Sequence, residues 1–361
     1  MMKKIISVLL TATLMMTMFA ACGGTTDSAA NNTDTPATPS QDQTPSDSGD
    51  NQTPSDSDDG QASSDDEENP PDAGDEEDEE NYDTGDASLD DPRNADDIGE
   101  SELMVVSFGT SFNDNRRLTI GAIESAIEKA FPDWSIRRGF TSQIIIDHVL
   151  RRDGEVIDNV GEALDRAVAN GVKTLVIQPT HLMDGFEYND VVDEVAQYAD
   201  AFEAAAIGEP LLTSDEDFAA VAEAIVAATT EYDDGNTAIV FMGHGTEAAS
   251  NQVYAKMQQV LTDASHEHYY IGTVEAEPTL DDVLMLVESG EYTRVVLRPL
   301  MIVAGDHANN DMAGDEEDSW KTAFEAAGYK VECVIKGVGE LEAIQQLFIQ
   351  HAQAAIDSLV K

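Results

Sequence analysis

Short apolar runs alternate with amphipathic stretches from about residue 101 to the end of the chain. Apolar side chains at helical spacing, such as Ile120, Ile123 and Ile127, lie between the runs and predict helices. The runs that predict strands are residues 103–108, 135–140, 173–178, 204–207, 237–242, 269–274, 293–298 and 330–334. Strands that alternate with helices are typical of a parallel sheet covered on both faces, so the predicted fold class is α/β.

The predicted elements carry an internal repeat. The corresponding positions are Gln178-Pro179, Gly185 and Glu187 in the first half and Arg298-Pro299, Gly305 and His307 in the second. A repeat of this kind indicates two similar lobes, each a parallel sheet flanked by helices, that face one another across a cleft. We place the N-terminal lobe at residues 101–208 and the C-terminal lobe at residues 209–361.

Residues 22–100 have the composition of a disordered acidic linker. Residues 23–100 carry 26 acidic side chains and one basic side chain, Arg93, with almost no aliphatic ones. Self-repulsion and a shortage of apolar surface keep such a segment extended. We interpret it as a solvated spacer, in preference to a metal-collecting segment built on the acidic run at residues 75–80.

The start of the chain predicts export. Lys3 and Lys4 precede an apolar run at residues 5–21, which is typical of a secretory signal. The segment Phe19-Ala20-Ala21-Cys22-Gly23 resembles a bacterial lipoprotein box, which implies cleavage after residue 21 and acylation of Cys22. We therefore expect an extracytoplasmic protein with a lipid anchor in the cell membrane; an ordinary secreted protein is the alternative. Cys333 is the one other cysteine, so the acylated chain has no intramolecular disulfide.

Three polar side chains follow three successive predicted strands of the C-terminal lobe: His244, Glu275 and His307. Because the carboxyl ends of parallel strands line the ligand crevice of an open α/β sheet, these side chains are expected to converge. Two imidazoles and one carboxylate suit a divalent transition metal. Residues 101–361 carry 46 acidic and 16 basic side chains, which argues against nucleic-acid binding.

Several segments together carry a family resemblance: Ser107-Phe108-Gly109-Thr110-Ser111, Gln178-Pro179-Thr180-His181, Met242-Gly243-His244-Gly245, Gly272-Thr273-Val274-Glu275 and Ala304-Gly305-Asp306-His307-Ala308-Asn309-Asn310-Asp311-Met312-Ala313-Gly314. They resemble the anaerobic cobalt chelatases (sirohydrochlorin cobaltochelatases), class II chelatases related in fold to ferrochelatase. The resemblance spans residues 101–361. It implies an enzyme that inserts Co²⁺ into sirohydrochlorin and releases two protons, in cobalamin biosynthesis.

The resemblance also implies roles for individual residues. His244, Glu275 and His307 would bind the metal. Insertion must also remove two pyrrole N–H protons, and we expect His244 and Glu275 to accept them, because a neutral imidazole both binds a metal and takes up a proton near neutral pH. Ligand type alone does not choose the ion, so Fe²⁺ or Ni²⁺ is an alternative to Co²⁺.

A tetrapyrrole with eight carboxylates needs donors around the cleft. We expect Thr110, Ser111, Arg138 and Ser142 to bind the substrate, since arginine and hydroxyl groups suit carboxylate recognition. Glu187, which corresponds to His307 in the internal repeat, is a further cleft candidate. Other arginines near strand ends or first helical turns are Arg116, Arg117, Arg137, Arg151, Arg152 and Arg298.

Two other functions compete with the enzyme. An exported lipoprotein could use the same fold to bind a metal or haem without catalysis. A hydrolase built on His244 lacks a convincing nucleophile with its base. A homo-oligomer is compatible with both the enzyme and the binding lipoprotein.

Overall fold

The computed structural model describes residues 84–96 and 98–359, which all belong to one compact unit. The predicted signal, the acylation site Cys22 and the linker up to residue 83 lie outside the described residues. Within the described residues, eight strands form two four-stranded sheets. Every strand pair is parallel.

The two sheets have the same topology. The strands are β1 (Ser101–Ser107), β2 (Ser135–Phe140), β3 (Thr174–Pro179), β4 (Ala204–Ile207), β5 (Thr237–Gly243), β6 (Tyr269–Thr273), β7 (Arg294–Pro299) and β8 (Lys330–Cys333). Their spatial orders are β2-β1-β3-β4 and β6-β5-β7-β8, so each sheet uses the same sequence of crossovers. All eight predicted strands are present within two residues of their predicted bounds. The predicted α/β fold of two similar lobes is therefore confirmed.

Helices cover the sheets between successive strands. They are α1 (Asn113–Leu118), α2 (Ile120–Ala130), α3 (Gln143–Asp153), α4 (Val160–Ala169), α5 (Phe186–Gln197), α6 (Asp215–Ala227), α7 (Gln252–Asp263), α8 (Leu280–Glu288), α9 (Trp320–Ala326) and α10 (Glu342–Leu359). Reciprocal capping boxes fix the starts of α4, α6 and α8, where the cap side chain and the third helical residue satisfy each other's backbone N–H groups. None of the described helices combines the length and the apolar character needed to cross a membrane.

A shared core joins the two lobes. Leu103 of β1 and Phe241 of β5 belong to the same buried cluster, which also includes Phe348 of α10. The last helix packs on β3, β4 and α2 of the first lobe although it follows the second sheet in the chain. The division at residue 208 stays a prediction; the two sheets lie on either side of it, and α10 crosses back to the first.

The folded region begins earlier than the sequence predicted. We call residues 84–96 the strap; the sequence analysis assigned them to the disordered linker, and the structure places them against β2 and α2. Asp90 forms ion pairs with Arg116 and Arg138, and Arg93 pairs with Glu124. The acidic composition of this segment predicted disorder. Composition alone does not show that acidic side chains here pair with buried guanidinium groups elsewhere in the chain.

A buried carboxyl group lies at the start of β1. Glu102 is fully buried, and its Oε2 is 3.3 Å from the Nε of Arg137. Burial raises the pKa of Glu102 from 4.5 to about 7, and the charge of Arg137 offsets only part of that effect. Between these two pH values the folded protein holds a proton that the unfolded chain has lost. Stability therefore falls as the pH rises through this window.

We expect Glu102→Gln to remove this pH dependence. Between pH 4.5 and about 7, the free energy of unfolding of the parent should fall relative to that of the variant, by about 3 kcal/mol at most. Urea unfolding at both pH values measures the difference. Glu100→Gln, which changes an exposed carboxylate paired with Lys173, is the matched control. Parallel curves for parent and Glu102→Gln would contradict a raised pKa.

Candidate metal centre

The structure brings His244, Glu275 and His307 together at the carboxyl edge of the second sheet. His244 directly follows β5, Glu275 comes two residues after β6, and His307 lies in the loop after β7. Their candidate ligand atoms all lie within 4.8 Å of one another. β5 lies between β6 and β7 in the sheet, so the three loops leave the same edge side by side.

Backbone hydrogen bonds hold the His244 and Glu275 loops against each other. The N–H of Glu275 donates to the carbonyl of His244 at 2.9 Å, and the N–H of Val274 donates to the carbonyl of Gly243 at 3.0 Å. Gly243 has no room for a side chain, because a Cβ there would lie 2.2 Å from the ring of Tyr254. Gly245 has φ +93°, a left-handed conformation that favours glycine. The two positions that flank His244 therefore require glycine for different reasons: Gly243 for lack of space and Gly245 for its backbone conformation.

The tautomer of His244 follows from its neighbour. Its Nδ1 lies 2.9 Å from the carbonyl oxygen of Gly245, which can only accept a hydrogen bond. Nδ1 therefore carries the proton and Nε2 offers a lone pair. The Oε2 of Glu275 is 3.5 Å from the same Nδ1, and the ring of His307 lies edge-on at 4.6 Å between centroids.

Asp311 orients the second imidazole. The Nδ1 of His307 lies 2.7 Å from the Oδ2 of Asp311, one turn further along in a π-helical segment, Ala308–Met312. Burial alone would lower the pKa of His307, but the hydrogen bond and charge of Asp311, with Glu275 and Asp306, raise it. A proton therefore competes with a metal for His307 more strongly than it would at an ordinary histidine. A carboxylate that fixes a ligating histidine is a common device at metal sites.

The donor set fits a divalent transition metal. Two imidazole nitrogens and one carboxylate oxygen are available, and ligands on opposite sides of a metal are ~4.2 Å apart when each bond is about 2.1 Å long. A spread of at most 4.8 Å therefore requires only small side-chain movements. Three protein ligands also leave coordination positions open for a substrate, as catalytic metal sites do.

The first lobe contacts the metal-ligand loops directly. The backbone N–H of Ala304 donates to the Oδ1 of Asn115 at 2.7 Å. The hydroxyl of Thr110 lies 3.2 Å from the position that a Cβ on Gly305 would occupy. Thr110 and Ser111 are almost fully buried at this junction. Their predicted contact with substrate stays a prediction.

Glu187 and Glu275 both act on the hydroxyl of Tyr254. Burial raises the pKa of Tyr254 to about 12, and the charges of the two carboxylates add to that effect. Tyr254 therefore stays protonated, and its oxygen accepts a hydrogen bond from the N–H of Gly245. Glu187 lies in the first turn of α5 and is exposed, and its place at the cleft stays a prediction.

The predicted substrate contact of Arg138 is wrong. Its side chain is fully buried, with four of its N–H groups bound to Glu124 and Asp90 at 2.7–3.1 Å. It therefore has no freedom to reach a ligand at the strand ends. The side chains of Arg116 and Arg137 are also buried. Ser142, another predicted substrate contact, caps α3 through its hydroxyl, which accepts from the N–H of Ile145.

Asp311 and Tyr254 are not among the site residues predicted from the sequence. Asp311 follows His307 by four residues, so a helical turn would bring the two side chains together, and that spacing was the available signal. Tyr254 offered no comparable signal, because its position depends on how α7 packs against the end of β5.

Comparison with known proteins agrees with this geometry. Residues 101–357 match the family profile described as cobalt chelatase (CbiK). The chain is 37% identical to the sirohydrochlorin cobaltochelatase of Salmonella typhimurium over 259 residues, which cover 72% of this chain and 97% of that protein. It is 31% identical to the sirohydrochlorin cobaltochelatase CbiKC of Nitratidesulfovibrio vulgaris over 259 residues, or 71% of this chain and 91% of that one.

The fold has solved counterparts. The structure of SirB from Bacillus subtilis with Fe³⁺ has a TM-score of 0.53 and 12% sequence identity, and the likeness covers 72% of this chain and 97% of that one. At this identity the likeness concerns the fold alone. The family match and the two relatives decide the matter: the chain belongs to the cobalt chelatase family, a family of metal-inserting enzymes.

Proposed function

We propose that this protein inserts Co²⁺ into sirohydrochlorin and releases two protons, as a step of cobalamin biosynthesis. The observation that carries the proposal is the convergence of His244, Glu275 and His307 at one sheet edge. The identity of the substrate is inferred from the two relatives above, which are named for this reaction.

The ligand set suits an ion that must be both bound and released. Two neutral imidazoles and one carboxylate attract a dication, whereas several carboxylates would hold it too strongly for transfer. Open coordination positions let the pyrrole nitrogens replace the protein ligands one after another. His244 accepts one pyrrole proton once the metal has left its nitrogen, and Glu275 accepts the other.

Catalysis explains the family match better than simple binding. A carrier that only captures metal or haem needs high affinity and no proton acceptors. Here the candidate ligand atoms of His244 and Glu275 lie within 4.8 Å of each other, so both side chains can serve the same macrocycle. We therefore favour the enzyme over the exported binding protein.

We propose Co²⁺ as the physiological metal, with Fe²⁺ or Ni²⁺ as competing ions. The names of the relatives favour cobalt. Affinity alone would favour Ni²⁺ over Co²⁺ and Co²⁺ over Fe²⁺ at such a site. Selectivity for cobalt would then depend on metal supply and on the rate of insertion.

We propose that the protein is lipid-anchored outside the cytoplasm. Support comes from the order Lys3-Lys4, an apolar run and Cys22, followed by a long acidic segment. That segment would act as a spacer between the lipid surface and the folded region, and its negative charge would keep it away from anionic lipid headgroups.

Removal of a metal ligand should abolish turnover. We expect His244→Ala to lower the rate of Co²⁺ insertion by at least about 100-fold. Removing the hydrogen-bond partner of a metal ligand typically lowers activity by about 10–100-fold, and removing the ligand itself should lower it by more. The absorbance change of sirohydrochlorin on metallation measures the rate. His266→Ala is the control, since His266 belongs to neither metal-ligand group found among the described residues.

Two outcomes would each contradict a different part of the proposal. An active His244→Ala variant would remove that residue from the reaction. Tight binding of Co²⁺ and sirohydrochlorin by the parent, without any metallation, would support the carrier instead.

Loss of the orienting carboxylate should weaken the metal site without destroying it. We expect Asp311→Asn to raise the Kd for Co²⁺ by about 10–100-fold, because the ring of His307 loses its fixed orientation. Titration calorimetry measures the affinity. Asp315→Asn is the matched control: Asp315 lies four residues later, its carboxylate is exposed and pairs with Lys321, and the variant should leave the affinity unchanged. Equal affinities for parent and Asp311→Asn would show that Asp311 does not orient the ligand.

The anchor has its own test. We expect Cys22→Ser to move the full chain from the membrane fraction to the soluble fraction of a bacterial host, because the acyl acceptor is gone. Fractionation followed by immunodetection measures the distribution. Cys333→Ser removes the other cysteine and should leave the chain in the membrane fraction. An unchanged distribution for Cys22→Ser would refute acylation as the anchor.

A further inference from the structure

The strap is an addition to the family fold. It comprises residues 84–96, and the match to the family profile begins only at residue 101. It nevertheless docks closely on the first lobe: the carbonyl of Thr84 accepts from the N–H of Asp114 at 2.8 Å, and the Nδ2 of Asn94 donates to the carbonyl of Val156 at 2.7 Å. Its central residue is Asp90, whose side chain is only 4% exposed.

Asp90 holds two buried guanidinium groups at once. Its Oδ2 lies 2.8 Å from the Nε of Arg116 and 2.7 Å from Nη1 of Arg138. Both arginine side chains are fully buried. Glu124 and Glu155 supply the other two carboxylates, one for each arginine. Asp90 is thus the group that links the two ion pairs.

Arg116 carries this constraint to the first-lobe side of the junction between the lobes. Its Nη1 donates to the carbonyl of Thr110 at 3.1 Å, so the guanidinium fixes the loop at the end of β1. The hydroxyl of Thr110 lies against Gly305, two residues before His307. On the same short helix, α1, Asn115 accepts the hydrogen bond from Ala304. A continuous set of contacts therefore runs from the strap to the junction of the two lobes.

We infer that Asp90 is a positioning residue for metal insertion, which acts through Arg116 on the first-lobe side of the junction. The inference rests on the proposed function above. All three candidate metal ligands belong to loops of the second sheet, whereas Asp90, Arg116 and Thr110 belong to the first lobe and its strap. Asp90 therefore positions the wall against which the tetrapyrrole is held, and it leaves the metal-ligand set itself in place.

This division gives a specific signature. We expect Asp90→Asn in the full chain to raise KM for sirohydrochlorin by at least fivefold and to leave the Kd for Co²⁺ within twofold of the parent. Asp96→Asn is the matched control: it makes the same change on the same strap, at an exposed ion pair with Arg166. It should change neither constant.

A second variant covers the case in which Asp90→Asn fails to fold because one buried positive charge is left unpaired. Asp90→Asn combined with Arg93→Gln removes one charge of each sign from the strap and leaves Arg116 and Arg138 with one carboxylate each. The double variant should show the same rise in KM. Thermal unfolding of each variant fixes a temperature for the kinetics well below its Tm.

The outcomes separate the possible roles. A lower Tm with KM and kcat within twofold of the parent would make the strap a stability element only and would overturn the inference. A parallel loss of Co²⁺ affinity would mean a general disturbance and would overturn it as well. If the parent does not metallate sirohydrochlorin, the proposed function fails, and the Kd of sirohydrochlorin replaces KM. A fivefold weaker Kd for both Asp90 variants would then support the positioning role alone, and an unchanged Kd would refute it.

Discussion

The geometry of a parallel sheet is the constraint on which the metal-ligand set depends. β5 is paired on one side with β6 and on the other with β7, in a register that aligns Gly243 with Thr273 and Met242 with Pro299. The three strands therefore end at one level. Side chains 63 residues apart in the chain, at His244 and His307, meet because the strands that carry them run in the same direction and stop together.

Repetition of the fold allows the two lobes to take different roles. The first sheet repeats the strand order of the second, and its loops carry Thr110 and Glu187 near the places where the second sheet carries ligands. The two lobes meet where the N–H of Ala304 donates to the Oδ1 of Asn115 at 2.7 Å. The second lobe supplies the candidate metal ligands, and the first lobe contacts their loops through Asn115.

The sequence predicted those parts of the molecule that depend on local patterns. The eight strands follow from apolar runs, and the meeting of His244, Glu275 and His307 follows from the rule that parallel strands share an edge. Arg138 was misread because its partner, Asp90, lies in a segment whose composition resembles disorder. A position inside a strand was a usable warning, since a charged side chain there must point into a helix-covered face.

The sequence did not show which side chains contact one another in the folded protein. Asp311 and Tyr254 contact the metal-ligand loops through a π-helical turn and through the packing of α7, and neither arrangement has a periodic signature. The contacts of the strap also lack a local signal in the sequence. Side chains of the strap bond to first-lobe residues 26 to 70 positions away, and each of these bonds exists only after the first lobe has formed.

The charge of the protein also bears on how its two substrates reach the site. Residues 101–361 carry 30 more acidic than basic side chains, and Arg116, Arg137 and Arg138 are spent on internal ion pairs. A field of this sign raises the local concentration of a dication and lowers that of a polyanion. Electrostatics therefore favours the arrival of Co²⁺ and opposes that of sirohydrochlorin. Salt weakens both effects, because it screens exposed charges beyond about 10 Å at 0.1 M. Short-range contacts must then hold the macrocycle, such as stacking on apolar side chains and hydrogen bonds from backbone N–H groups. Such contacts depend on exact distances, whereas charge attraction does not. A firmly positioned first-lobe wall therefore matters more for them.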